Sequence, residues 1–134
     1  MANIYKNAQF NLTTTAKTDV YTVPTSRTAL MKVVHTANYG AGNTVVKGYV
    51  YDSSASTEYQ IDQHTIAAGS SQDLGDGVLV LESGDIYRLE ASGANSISGS
   101  CSILEIFDEK SAWLNWYLYL KKILVLYGNN VKVW

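Results

Sequence analysis

Hydrophobic and polar residues alternate over short stretches through most of the first 110 residues of the chain. Runs rich in β-branched and aromatic residues recur about every 8 to 13 residues and end in clusters of Gly, Ser, Asn or Asp, a spacing typical of β-sandwiches and barrels. The pattern predicts eight strands: residues 5–12, 19–23, 28–38, 44–52, 58–66, 73–81, 86–91 and 96–107. No helical apolar period persists beyond two turns in this part of the sequence.

Three of these strands carry patterns that predict how they are buried. In the third strand, Met31, Val33 and His35 fall on one face, because side chains alternate along a strand. In the sixth, the continuous apolar run 78–81 predicts a strand that is covered on both sides. In the eighth, the apolar positions change phase near Ile103, which predicts a β-bulge there.

Eight such strands predict an all-β fold, an antiparallel jelly-roll-like sandwich with an apolar, aromatic C-terminal extension. An immunoglobulin-like sandwich is the alternative. It fits less well, because no Trp stands in a central strand and the single Cys101 has no second cysteine with which to bridge two sheets.

The composition changes abruptly near Lys110. Residues 1–110 hold 7 Lys and Arg against 12 Asp and Glu, a net charge of -5, whereas residues 111–134 hold three lysines and no acid, a net charge of +3. The second segment also contains all three tryptophans. We therefore predict a β-sandwich domain over 1–110 and a C-terminal interaction tail over 111–134.

The tail contains the most apolar stretch of the chain, and its secondary structure has two interpretations. As a helix it is apolar almost all round; as a hairpin, strands at 123–127 and 131–134 flank Gly128-Asn129-Asn130, and this second interpretation is slightly favoured. A transmembrane helix is not predicted, since a span needs about 20 predominantly apolar residues and two lysines interrupt this run.

An apolar tail of this kind must be covered, because large exposed apolar patches mark interaction sites or aggregation hazards. The predicted interface residues are Trp113, Trp116, Tyr117, Leu120, Lys121, Lys122, Leu124 and Trp134. The favoured hypothesis is contact with sister subunits or a larger assembly. The alternatives are a tail that folds back on its own sandwich, a membrane-surface anchor, and an appendage added by cloning or a frameshift.

The sequence contains no recognisable catalytic motif. Cys101 is predicted to be a buried strand residue that acts as a small hydrophobe. His35 and His64 could form a metal pair on adjacent strands, but metal sites need three or four ligands. The acidic residues around the sixth strand are explained by turn chemistry; these are Asp73, Asp76, Glu82 and Asp85. We predict no enzyme activity, no cofactor and no metal.

Four tyrosines have more than one interpretation: Tyr39, Tyr49, Tyr51 and Tyr59. Cross-strand packing is the ordinary role of tyrosine in a sheet. Subunit contacts and stacking on a glycan are the alternatives. The net charge of -2 indicates no nucleic-acid partner.

Several segments of the body resemble short accessory virion proteins of tailed bacteriophages. They are residues 5–8 (YKNA), 20–24 (VYTVP), the alternating segment 28–38, 51–54 (YDSS) and 79–85 (LVLESGD). The resemblance implies a non-enzymatic structural protein of the particle, made in the host cytoplasm and attached to other virion proteins. A capsid decoration or cement subunit is expected, as a homo-oligomer with a trimer as the first choice; a neck or tail component and a carbohydrate-binding module are the alternatives. The tail departs from this pattern, which usually stops near the last strand.

Overall fold

A computed structural model describes the backbone of residues 3–75, 77–107 and 109–126, and the side chains of 3–75, 77–107 and 116–124. The described chain forms nine strands followed by one helix. These are β1 (Asn3–Leu12), β2 (Thr18–Thr22), β3 (Arg27–Asn38), β4 (Thr44–Asp52), β5 (Thr57–Ile66), β6 (Ser71–Leu74), β7 (Leu79–Leu81), β8 (Ile86–Ala91), β9 (Ile97–Phe107) and α1 (Glu109–Leu126).

The strands form two antiparallel sheets, which confirms the predicted all-β sandwich. One sheet has the order β1-β9-β3-β6, with β7 also paired to β3, and the other has the order β2-β8-β4-β5. Successive pairings are nested along the chain: β1 pairs with β9, β2 with β8, β3 with β6 and β7, and β4 with β5. The chain is thus paired as one long folded hairpin whose closed end is the β4–β5 turn.

The core lies between the two sheets and is built from alternate strand residues. Its largest fully buried hydrophobic side chains include Tyr87, Leu12, Met31, Leu89 and Ile97. Cys101 is also fully buried, as predicted, and burial raises the pKa of its thiol to about 12. A thiol in this environment stays protonated and packs as an apolar side chain.

The predicted sixth strand is wrong in one respect, because it is interrupted. β6 and β7 are separate strands, and Gly75 and Gly77 between them adopt φ angles of +81° and +131°. These conformations suit glycine and break the ladder. The prediction that this run is covered on both sides is also wrong, since Val78 and Val80 are exposed.

The predicted bulge near Ile103 is present, but it lies in β3, opposite Ile103, rather than in β9. Met31 pairs with Ile103 and Val33 with Ser102, so Lys32 is the extra residue, whereas the β1–β9 register runs without a shift. The bulge reverses the phase of β3. Met31 and Val34 are therefore both buried, and the prediction that Met31, Val33 and His35 share a face is wrong.

The favoured hairpin in the tail is wrong over its first strand, because residues 123–126 belong to α1. The second predicted strand, 131–134, lies outside the described residues. The helix is favoured locally because no Gly or Pro interrupts 109–126, and Leu, Lys and Ala are strong helix formers.

The close approach of β3 to β9 predicts the effect of a single methyl group. A Cβ at Gly99 would clash with the carbonyl oxygen of His35 and would lie 2.7 Å from Cζ of Phe10. Gly99→Ala is expected to lower the free energy of unfolding by roughly 3 kcal/mol or more. Gly42→Ala is the control, because nothing lies within 4 Å of its Cβ position, and the expected change is within about 0.5 kcal/mol. Urea denaturation of both variants measures the difference; equal stabilities would contradict the β3–β9 packing.

Candidate interaction surface

The helix α1 exposes large apolar side chains on every described face. The exposed members are Trp116, Tyr117, Leu118, Tyr119, Leu120 and Leu124, with Trp116 at 59%. Lys121 and Lys122 are also exposed, and Ile123 is half-buried. Soluble helices ordinarily place such residues along one stripe that faces a core. Over the described residues, the sandwich does not bury a stripe of this kind on α1.

The sequence-predicted interface residues fall into two groups. Six of them have described side chains on α1, all of them exposed: Trp116, Tyr117, Leu120, Lys121, Lys122 and Leu124. Trp113 lies on the backbone of α1, but its side chain is outside the described set, as is the whole of Trp134.

The described side chains of α1 make contacts with each other along the helix. The rings of Trp116 and Tyr119 are stacked, with centroids 6.0 Å apart, and the Lys121 ammonium lies 5.0 Å from the centroid of the Tyr117 ring. Helical spacing places Trp116, Leu120 and Ile123 on one face, at positions i, i+4 and i+7. Leu118 lies on the opposite face.

A buried carboxylate lies near the end of β9, two residues before the strand ends. Glu105 is 1% exposed, and its two oxygens accept hydrogen bonds from Tyr21 Oη at 2.8 Å and Arg27 Nη1 at 2.7 Å. Lys6 Nζ lies 3.0 Å from the same carboxylate. The Arg27 guanidinium also lies 4.6 Å from the centroid of the ring of Phe107, which is the last residue of β9. This cluster joins β1, β2, β3 and β9 where the chain leaves the sandwich towards α1.

The charge state of Glu105 follows from these contacts. Burial alone raises the pKa of a carboxyl group, but the hydrogen bonds from Arg27, Lys6 and Tyr21 outweigh that effect, so the pKa of Glu105 lies below its ordinary value. No sequence pattern predicted this cluster, since its members lie far apart along the chain.

The outer face of the second sheet is a network of paired charges. Arg88 donates to Asp19 at 2.6 Å and to Glu58 at 3.2 Å, and Glu58 also accepts a hydrogen bond from Lys17 at 2.6 Å. The Lys17 ammonium lies 4.2 Å from the centroid of the Tyr49 ring. Tyr49 is 8% exposed, so its ring offers no open stacking face for a sugar.

The histidines do not form the metal pair considered from the sequence. His35 Nδ1 lies 2.5 Å from Asp73, whereas His64 Nε2 lies 2.6 Å from Asp62. Within the described residues there is no group of three His, Cys, Asp or Glu side chains that could hold a metal ion. Asp85 performs the predicted turn role by accepting hydrogen bonds from the backbone N–H groups of Ser53 and Glu82. Asp76 lies outside the described residues.

Over the described residues, no helix combines the length and the apolar character that a membrane span requires.

The fold has similar solved structures among the proteins of virus particles. One is a chain of the acid-stable capsid of Helicobacter pylori bacteriophage KHP30, with a TM-score of 0.52 and 14% identity over 81% of this chain and 90% of that one. Another is a chain of the T13 particle of infectious bursal disease virus, with a TM-score of 0.51 and 8% identity over 77% of this chain and 30% of that one. At these identities the likeness shows a shared fold.

No family model matches the sequence. No curated protein matches it either.

The Glu105 cluster predicts a stability effect that depends on pH. At pH 7, Glu105→Gln is expected to lower the free energy of unfolding by about 1.5 to 3 kcal/mol, because it removes the charge from hydrogen bonds to two cations. A depressed native pKa stabilises the fold above the unfolded value of about 4.3, and this contribution is lost as the pH falls through the native pKa.

The parent and Glu105→Gln stabilities should therefore converge as the pH falls from 5 towards 2. Glu82→Gln is the control, because Glu82 uses its backbone N–H rather than its carboxylate in the turn. Urea melts over this pH range provide the measurement. A constant gap between parent and Glu105→Gln would contradict the assigned charge state.

Proposed function

We propose that this chain is a non-enzymatic structural protein of a bacteriophage virion, a capsid decoration or cement subunit that attaches through α1. The observation that carries the proposal is the exposed apolar helix on an otherwise well-packed sandwich. Each large side chain of α1 that leaves water on attachment contributes roughly 1.5 to 3 kcal/mol. Several such side chains on one helix supply enough free energy for a stable contact.

A jelly-roll assignment of the body belongs to this proposal. In a jelly roll, eight strands form two sheets from nested Greek keys. Treating β6 and β7 as the two halves of one interrupted strand gives eight, and the nested pairings of β1 with β9 through β4 with β5 support the assignment. The similar capsid chain of bacteriophage KHP30 supports a place in a virus particle.

The helix and the body have separate tasks in this proposal. The core cluster is contributed by strands and their connections, so the body serves as a rigid block. The helix serves as the adhesive, and Lys121 and Lys122 favour an acidic partner surface and set orientation more than affinity. A trimer around a local threefold axis is the proposed assembly. A neck or tail location uses the same surface and differs in copy number and symmetry.

Removing residues 111–134 tests the adhesive role. The body 1–110 is expected to retain its stability within about 0.5 kcal/mol, because the described α1 side chains contribute little to the core. It is expected to be monomeric and absent from particles. The full chain is expected to be oligomeric and present in particles.

The measurement combines light scattering after gel filtration with mass spectrometry of purified particles from the phage that carries the gene. Lys121→Gln with Lys122→Gln is the matched control, since it removes both charges and keeps the apolar surface. Equal incorporation of the truncated and full chains would contradict the adhesive role of the tail.

A further inference from the structure

The sandwich has a cleft at its open edge, where the last strands of the two sheets face each other. β5 ends one sheet, and the interrupted edge β6–β7 ends the other. The cleft has a volume of about 220 Å³. Small-molecule sites usually run from about 300 to 1,000 Å³, so this cleft suits one large side chain.

Most of the residues that line the cleft are apolar, and several of them are exposed. Met31 and Leu74 are buried, whereas Val33, Ile61 and Val78 are exposed. Val78 is 58% exposed and Ile61 is 46% exposed. Exposed β-branched residues around a recess form a surface that gains free energy when an apolar partner covers it.

Two polar groups converge on this apolar recess. Asp62 Oδ1 faces His64, whereas Asp62 Oδ2 lies towards Gly75, where an added Cβ would lie 3.8 Å from it. Within the described residues, no hydrogen bond reaches Asp62 Oδ2 or the Tyr87 hydroxyl, and both residues line the cleft. The cleft therefore offers hydrogen-bond acceptors among its apolar lining residues.

Tryptophan is the side chain that matches this combination, because it is large and apolar and its indole N–H is a donor that needs an acceptor when buried. Trp116 of α1 is exposed. Leu120 and Ile123 continue its face of the helix and could cover the apolar rim. The charges also agree, since the tail is +3 and the body is -5.

Among the described residues, Lys32 is the cation that lines the cleft, and its ammonium is directed to the Tyr5 ring on β1, 5.7 Å from the ring centroid.

We propose that the cleft receives α1 of a second copy of this chain, with Trp116 inserted between the sheets and its indole N–H donated to Asp62. The inference rests on the proposed adhesive role of α1 and names its receptor.

This contact joins two different surfaces, the helix of one copy and the cleft of the next. Such a head-to-tail contact closes into a ring or continues as a filament, according to the rotation between copies. A ring of three agrees with the proposed trimer. It also means that a tail variant and a cleft variant have complementary defects.

Complementation between two full-length variants tests the proposal. Trp116→Asp damages the helix face and keeps the cleft, whereas Val78→Asp damages the cleft rim and keeps the helix. Each is expected to be monomeric alone at concentrations where the parent chain assembles. Mixed in equal amounts, they are expected to form a one-to-one complex, because one intact helix meets one intact cleft.

Two matched variants serve as controls for these substitutions. Leu118→Asp puts the same charge on the opposite face of α1, and Tyr39→Asp puts it on a comparably exposed residue outside the cleft. Both are expected to assemble like the parent. Trp116→Phe keeps an apolar ring and loses the N–H that would bond the Asp62 carboxylate, so its self-association constant is expected to decrease roughly 10- to 150-fold. Circular dichroism melts show whether each variant is folded.

The outcomes separate this inference from the proposed function. If the Val78→Asp variant is folded and assembles like the parent, the cleft is not the receptor, while the adhesive role of α1 stands. A parent chain that remains monomeric at every concentration also overturns contact between copies, but not attachment to another virion protein. Assembly by the truncated body 1–110 overturns the proposed function itself.

Discussion

The apolar side chains of α1 remain in contact with water, and this exposure is the physical constraint on which the proposed function depends. The sandwich buries its core cluster within its own strands and their connections, and its exposed apolar residues include Ile61 and Val78 at the cleft. On the helix, Trp116, Leu120 and their neighbours remain exposed. In the proposed function, the free energy gained by burying these exposed side chains is available for contact with another surface. In the sequence, the change in composition near Lys110 coincides with the start of α1 at Glu109.

The sandwich could be predicted from the sequence because alternation and turn residues act locally. The bounds of β4 and β8 were predicted correctly, and the two-sheet antiparallel architecture followed from the spacing of the runs. The errors arose where tertiary pairing overrides the local pattern. Lys32 bulges because β3 must stay in register with β9, and the interruption after Leu74 depends on glycine backbone angles that an apolar run conceals.

The candidate surface was predicted in part for a different physical reason. An apolar, acid-free tail is visible in composition, so the α1 residues could be selected before their conformation was known. The Glu105 cluster and the cleft could not be selected in the same way. Arg27 and Glu105 are 78 positions apart in the sequence, and an acid in a strand ordinarily faces solvent. The cleft exists only because β5 and the β6–β7 edge face each other across the open side of the sandwich.

Tryptophan fluorescence tests the central claim most directly, because all three tryptophans lie in residues 111–134 and report on the tail alone. We predict emission that is blue-shifted and protected from acrylamide quenching when the chain is assembled, and that becomes red-shifted and readily quenched when dilution releases monomers. Emission that is unchanged by dilution would contradict the account. A blue-shifted value at dilutions where light scattering shows only monomers would show that the chain covers its own tail, and a red-shifted value at every concentration would contradict contact of the tail with another copy.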